Sequence, residues 1–278
     1  MIDFNKLAKD PLSMFGLKNK VVVVTGGTGI LGSIYCEGLV NAGATVIIAD
    51  LCQAKCNDLA MSLNNNSLGS ARGYAVDLKS EESIKNWSEK IIKENEHIDV
   101  LINNAATKTK NFFKPIEEFN LNEWNEVLDI NVTALFLTAK YIGKHMLLQG
   151  NGNIINISSI YGVVGPDQSI YDGSYYEHLG GAINTPLIYS ASKGAVIAMT
   201  KYLATYWGKK GIRSNTLTPG GVFSGQNDVF VEKYSKRVPL NRMANEKEML
   251  GALLFLASDA STYVNGQNII VDGGLTAW

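Results

Sequence analysis

Apolar positions along this chain switch repeatedly between two periods. Short runs that are apolar or β-branched throughout read as strands: Val21 to Thr25, Thr45 to Asp50, Gly73 to Asp77, Val100 to Asn103, Asn153 to Ser158, Arg213 to Leu217 and Asn268 to Val271. Amphipathic helical patterns fill the intervals. A strand without a polar face, such as Val21-Val22-Val23-Val24, needs cover on both sides, which implies parallel strands joined by helical crossovers. The predicted fold is α/β, a doubly wound parallel sheet with helices on both faces. Ligands of such sheets bind beyond the carboxyl ends of the strands, where this chain places Gly26, Asp50, Asp77, Asn104, Ser159 and Pro219. Two stretches break the alternation, 163–187, rich in Gly, Tyr and Asp, and 221–240. Long irregular segments on the ligand side of a compact domain are expected to be substrate loops.

Composition narrows the reading. No Pro-, Ser- or charge-rich linker divides the 278 residues, so 1–278 is expected to be one domain. An apolar fraction of 46% against 18% charged supports a large core, and a net charge of -1 provides no field for nucleic acid or an anionic membrane. Met1 to Lys20 lacks the unbroken apolar run of a signal peptide or membrane span, so the expected compartment is the cytoplasm. Cys36, Cys52 and Cys56 read as reduced thiols, and neither they nor His97, His145 and His178 have metal-ligand spacing. His97 and His145 are expected on the surface near helix ends, while His178, inside the 163–187 segment, is a candidate for substrate contact.

The strongest local motif is Thr25-Gly26-Gly27-Thr28-Gly29-Ile30-Leu31-Gly32, which follows a strand and opens a helix. Gly26 permits a tight turn, Gly29 lets backbone approach a pyrophosphate, and Gly32 lets helix approach strand, so phosphates would meet N–H groups at the helix start around Thr28, Ile30 and Leu31. Asp50, at the end of the second strand, stands where a carboxylate accepts from the adenosine ribose, with Leu51 beside it. A carboxylate there repels a 2′-phosphate, and no Lys or Arg occurs from Val21 to Cys52 to receive one. NAD is therefore expected over NADP.

Further along come Asn103-Asn104-Ala105-Ala106, Asp129-Ile130-Asn131-Val132, Ser158-Ser159, Tyr189-Ser190-Ala191-Ser192-Lys193, Pro219-Gly220 and Asp272-Gly273-Gly274. In this order, from about Lys18 to the end, the sequence resembles the short-chain dehydrogenase/reductase family, which implies a Rossmann-type fold and an alcohol or carbonyl substrate. Two features depart from the family's short members. Ile30 replaces the middle glycine of the loop, and Ser159 and Tyr189 are separated by the extra 163–187 segment.

The resemblance implies that Tyr189 is the proton donor and acceptor. A phenol with a pKa of about 10 is a poor base at neutral pH, and Lys193, one helical turn on, supplies the positive charge that favours the phenolate. By resemblance Lys193 also holds the nicotinamide ribose, Ser159 orients the substrate oxygen, and Asn131 holds a water that links Lys193 to solvent. Asn104 and Ala105 would line the cofactor near its ribose. Asp77, with Leu78, would meet the adenine, and the amides around Val222, after Pro219 and Gly220, would grip the carboxamide, with Ser224 in the place of a usual Thr. Tyr206-x-x-x-Lys210 repeats the spacing without the surrounding set and is rejected.

From Gly162 to Ser192 there is no Lys or Arg but Asp167, Asp172 and Glu177 are present, which disfavours phosphate or coenzyme A and favours a neutral or cationic polar substrate, with a sugar or polyol suggested by aromatic residues among carboxylates and amides. Lys233, Lys236, Arg237 and Arg242 leave a phosphorylated group open. A weaker similarity joins the chain to bacterial sugar-modification dehydrogenases. Competing readings are a 3-oxoacyl reductase and a non-catalytic NAD-binding regulator. The family also implies a homo-oligomer, dimer or tetramer, formed through the helix carrying Tyr189 and the one that includes Asn131.

Overall fold

Val21–Thr25 is buried at all five positions and forms β1; β4 (Val100–Asn103) and β5 (Gly152–Ile157) are likewise buried throughout, and β2 (Thr45–Asp50) at all but its two ends. The computed structural model describes residues 9–65, 67–176 and 181–278. In it these strands join β3 (Ser70–Ala75), β8 (Ile212–Pro219) and β9 (Asn268–Val271) in one seven-stranded sheet. The order is β3-β2-β1-β4-β5-β8-β9, and every pairing is parallel. A separate antiparallel hairpin pairs β6 (Tyr175–Tyr176) with β7 (Gly181–Ala182).

Helices cover both faces, as the apolar strands require. On one face α1 (Ile30–Asn41), α2 (Gln53–Leu63) and α8 (Leu250–Ala257) pack Tyr35, Leu39, Cys56 and Leu253 against the sheet. On the other, α3 (Glu81–Asn95), α5 (Ala134–Gln149) and α6 (Leu187–Trp207) contribute Ile84, Trp87, Ile142, Met146, Leu203 and Trp207. Each such side chain contributes on the order of 1.5–3 kcal/mol by leaving water. Two shorter helices, α4 (Leu121–Leu128) and α7 (Asp228–Lys236), lie at the carboxyl end of the sheet's neighbourhood. No described helix is long and apolar enough to cross a membrane.

The third strand starts and ends earlier than its apolar pattern predicts, at Ser70–Ala75 instead of Gly73 to Asp77. It is an edge strand, so its limits are set by its single partner: register runs from Thr45 opposite Ser70 to Asp50 opposite Ala75, and Asp77 lies beyond the ladder. The 221–240 stretch, expected as a loop, contains α7. Its N-cap is Asn227, whose Oδ1 accepts from the Phe230 N–H at 2.9 Å, a signal masked in sequence by flanking Gly and Ser.

The 163–187 segment packs on that helix. Its 3₁₀ turn at Gln168–Tyr171 joins Ile160, Phe230, Tyr234, Val238 and Met243 in a third apolar cluster, with the Tyr171 and Phe230 rings stacked at 5.3 Å. Lys233 Nζ donates to the carbonyls of Ser169 (3.2 Å) and Asp172 (2.7 Å), and Ser174 Oγ donates to Asn227 Oδ1 at 3.0 Å. The two substrate-loop candidates thus form one layer over the carboxyl ends of β5 and β8.

Candidate active site

Strand order reverses between β1 and β4, and the glycine loop lies at that reversal. Gly26 has φ +62°, and a Cβ on Gly32 would stand 2.1 Å from the Gly26 carbonyl oxygen, so α1 reaches the loop only because position 32 is glycine. α1 begins at Ile30 with Gly29 as N-cap and no side-chain cap, which leaves the first helical N–H groups open to an anion. Ile30 is 61% exposed and Leu51 71%, so neither fills the cradle. These features fit a dinucleotide.

Around the cradle the predicted residues divide into two sorts. Asp50 is held in place: Oδ2 accepts from the Thr28 N–H at 3.0 Å and its hydroxyl at 2.6 Å, and Oδ1 accepts from the Leu51 N–H at 2.7 Å. Asn104 turns both of its amide donors onto the loop, to the carbonyls of Thr25 (3.1 Å) and Gly26 (3.0 Å), while the N–H groups of Asn104 and Ala105 donate to Thr25 Oγ1. Thr28 and Asn104 therefore shape the cradle with their side chains. Asp77 is exposed beyond β3, its Oδ1 accepting from the Lys79 N–H at 2.9 Å, and Leu78 packs inward beside it. At the other end the Gly220 N–H donates to Val271 O at 2.9 Å, next to Pro219, and Val222 bridges to Ala244.

Ser159, Tyr189 and Lys193 come together beyond β5 at the start of α6. Ser159 is hydrogen-bonded to the Tyr189 phenol, and Lys193 Nζ lies 5.9 Å from the Tyr189 ring centroid while donating to Ile157 O at 3.0 Å. Burial raises the Tyr189 pKa above the ordinary phenol value, opposed by the Ser159 hydrogen bond, and burial pushes Lys193 down to about 8. The close approach rests on Gly162, which no sequence motif marks. A Cβ there would stand 2.6 Å from the Lys193 main-chain carbon, so only glycine lets the turn after Ser159 seat against α6. Ser158 Oγ donates to Lys193 O at 2.8 Å and ties the same two elements.

Asn131 sits in a π turn, Asp129–Thr133, where α4 runs into α5. Its Oδ1 accepts from the Thr107 N–H at 3.0 Å and its Nδ2 donates to Ser192 Oγ at 3.1 Å. Both ends of the side chain are engaged, so it ties the loop after β4 to α6, one residue from Lys193.

Ser159 and Tyr189 open on a cavity of 520 Å³ walled by Phe112, Tyr161, Tyr171, Phe230 and Tyr234, with Asn184, Thr185, Ser224 and Gln226 as polar points. Of the inserted tyrosines, Tyr171 lines this cavity, Tyr175 is 62% exposed, and the Tyr176 side chain and His178 lie outside the described residues. The basic residues expected to leave room for phosphate are engaged: Lys233 with carbonyls, Lys236 with Glu232, Arg237 with Asp167 and Arg242 with Glu248. Tyr206 is exposed under Lys210 at the far end of α6, away from the cavity, which accords with its rejection. His97 is a surface residue, but His145 is half-buried in α5, its Nε2 enclosed.

The family model described as Enoyl-(Acyl carrier protein) reductase matches residues 29–276. D-threitol dehydrogenase of Mycolicibacterium smegmatis is 31% identical over 267 residues, covering 94% of this chain and 95% of that protein. The crystal structure of a gluconate 5-dehydrogenase from Burkholderia cenocepacia, in complex with NADP and tartrate, superposes with a TM-score of 0.84 at 28% identity, covering 96% of this chain and 99% of that one. A short-chain dehydrogenase from Leptospira borgpetersenii with bound NAD+ gives 0.80 at 32% identity, covering 99% and 96%. Matches that run nearly end to end, over a shared parallel sheet, make the chain a member of the short-chain dehydrogenase/reductase family, an oxidoreductase of alcohols and carbonyls that works with a nicotinamide dinucleotide.

Proposed function

We propose that the chain is an NAD-dependent dehydrogenase that interconverts a secondary alcohol and a carbonyl on a small, polyhydroxylated, sugar-like metabolite. The observation that carries this reading is the Ser159–Tyr189–Lys193 cluster at the wall of a cavity next to a glycine loop. Gly26, Gly29, Gly32, the α1 N-terminus and Asp50 would hold NAD(H), which when bound would supply or take up the hydride. In oxidation Tyr189 takes the proton of the substrate hydroxyl, and in reduction it returns one to the carbonyl oxygen. Ser159 donates a hydrogen bond to that oxygen and so fixes which carbon faces the cofactor. Lys193 favours the phenolate by its charge, and Asn131 positions the helix turn that carries Lys193.

Asp50 supports NAD because its carboxylate, fixed by Thr28 at the end of β2, would repel a 2′-phosphate, with no cation on the loop or α1 to meet one. The engaged cations of 233–242 and the hydroxyl and amide groups of the cavity support a sugar or polyol over a carrier-bound acyl chain. The exposed side of α6 supports a homo-oligomer, and we place the protein in the cytoplasm.

Fluorescence titration with NADH and NADPH, followed by a panel of polyols, sugars, sugar acids and hydroxyacyl esters, tests the proposal. NADH preference that Asp50→Ala weakens, with turnover of a polyhydroxylated substrate, is the expected result. Failure to bind either nucleotide would sink it.

A further inference from the structure

Among the described lining residues every side chain is neutral except Lys108, which rises from the loop after β4 beside Phe112 and Phe113. Lys114 pairs with Glu118 and Lys233 with two carbonyls, whereas Lys108, on the cavity wall, has no carboxylate partner among the described residues. Its ammonium lies 5.4 Å from the Phe113 ring centroid, so its stem and charge are braced at the rim. The surroundings desolvate it enough to lower its pKa, although the residue keeps an exposed side.

Resting on the proposed dehydrogenase reading, we infer that Lys108 is a specificity-determining residue that receives the carboxylate of the substrate, which is therefore a polyhydroxy acid. An unpaired ammonium facing a cavity whose other polar points are hydroxyls and amides suits one anionic group on an otherwise neutral, hydroxylated chain. From Lys108 the wall runs through Phe113 and Phe112, whose centroids are 5.4 Å apart, to Tyr189, 6.1 Å from Phe112, so the ammonium and the phenol line the same cavity.

D-gluconate and D-glucitol differ at one terminus, carboxylate against hydroxymethyl, and calorimetric titration of the NADH-loaded protein with each tests the inference without requiring turnover. Gluconate is expected to bind the more tightly, to lose roughly 10- to 100-fold in Lys108→Met, and to recover in Lys108→Arg, while glucitol changes little. Equal binding of the two by the wild-type protein, an equal loss of both in Lys108→Met, or no binding of gluconate would overturn it. Absence of turnover on any alcohol or carbonyl with either nucleotide would instead sink the dehydrogenase reading, since the titration reads the carboxylate alone.

Discussion

Lys193 is 4% exposed, and the nearest partner of its ammonium is a neutral carbonyl, Ile157 O. Burial therefore penalises its charged form, and the sign of the consequence follows. An unfolded lysine titrates near 10.4 while Lys193 titrates near 8, so between those values unfolding takes up a proton and stability rises with pH. Below pH 8 the folded protein carries the whole cost, about 3 kcal/mol. Lys193→Met should accordingly be more stable than the wild type at pH 7, by up to that amount, with the gap narrowing toward pH 10; denaturant melts at both pH values measure it, and a gap independent of pH would show that the ammonium is not the cause. Tyr189→Phe keeps the ring and its packing on Phe112 while removing the proton carrier, so kcat should fall by roughly 10²- to 10⁴-fold with NADH affinity retained. Both residues could be singled out in the sequence through the ordered set of motifs around them, since the spacing of four alone recurs at Tyr206 and Lys210. Lys108 could not: a lysine in a polar loop has no periodic context, and only the fold shows that it faces the cavity.

Among elements, the strands were legible wherever both faces are buried, as in β1, β2 and β4, since continuous apolar runs leave no alternative. Edge strand β3 and the α7 layer were harder to read, because one takes its limits from a partner strand and the other is a nine-residue amphipathic helix stabilised by contacts 60 residues away in sequence. The position of Ser159 has the same long-range origin. It depends on the turn Ile160–Gly162 lying flat on α6 at Lys193, which no local motif announces. Gly162→Ala adds a Cβ 2.6 Å from main-chain atoms that cannot move aside, so the turn must lift and carry Ser159 with it. A displacement near 1 Å costs roughly 10²-fold in rate when the oxygen it orients is the reacting one. Steady-state kinetics with far-UV circular dichroism distinguish this from unfolding: kcat should drop while helix content and nucleotide affinity hold, and an unchanged kcat would release Gly162 from the role.

At the scale of the whole molecule the telling surface is the side of α6 turned from the sheet. Leu203, Ala204 and Trp207 are consumed by the chain's own core. Ala198, Tyr202 and Tyr206 are not: they recur at helical spacing on one stripe, Tyr202 is 63% exposed and Tyr206 56%, and their rings stack on each other at 5.4 Å. On α5, which lies beside α6 through the contact of Gly143 with the Trp207 ring, Phe136 is also 53% exposed. Apolar residues concentrated on adjacent helices mark an interface more than they mark a solvated face. A two-fold arrangement would bring each stripe onto its own copy, so one substitution is felt twice in every contact. Light scattering coupled to size exclusion should give an integral multiple of 30.2 kDa for the wild type and a smaller assembly for Tyr202→Asp combined with Tyr206→Asp. Since α6 also carries Tyr189 and Lys193 at its other end, turnover should fall together with the assembly. A wild-type monomer would leave those tyrosines as solvent-facing residues, and an unchanged mass in the double variant would move the interface to another face.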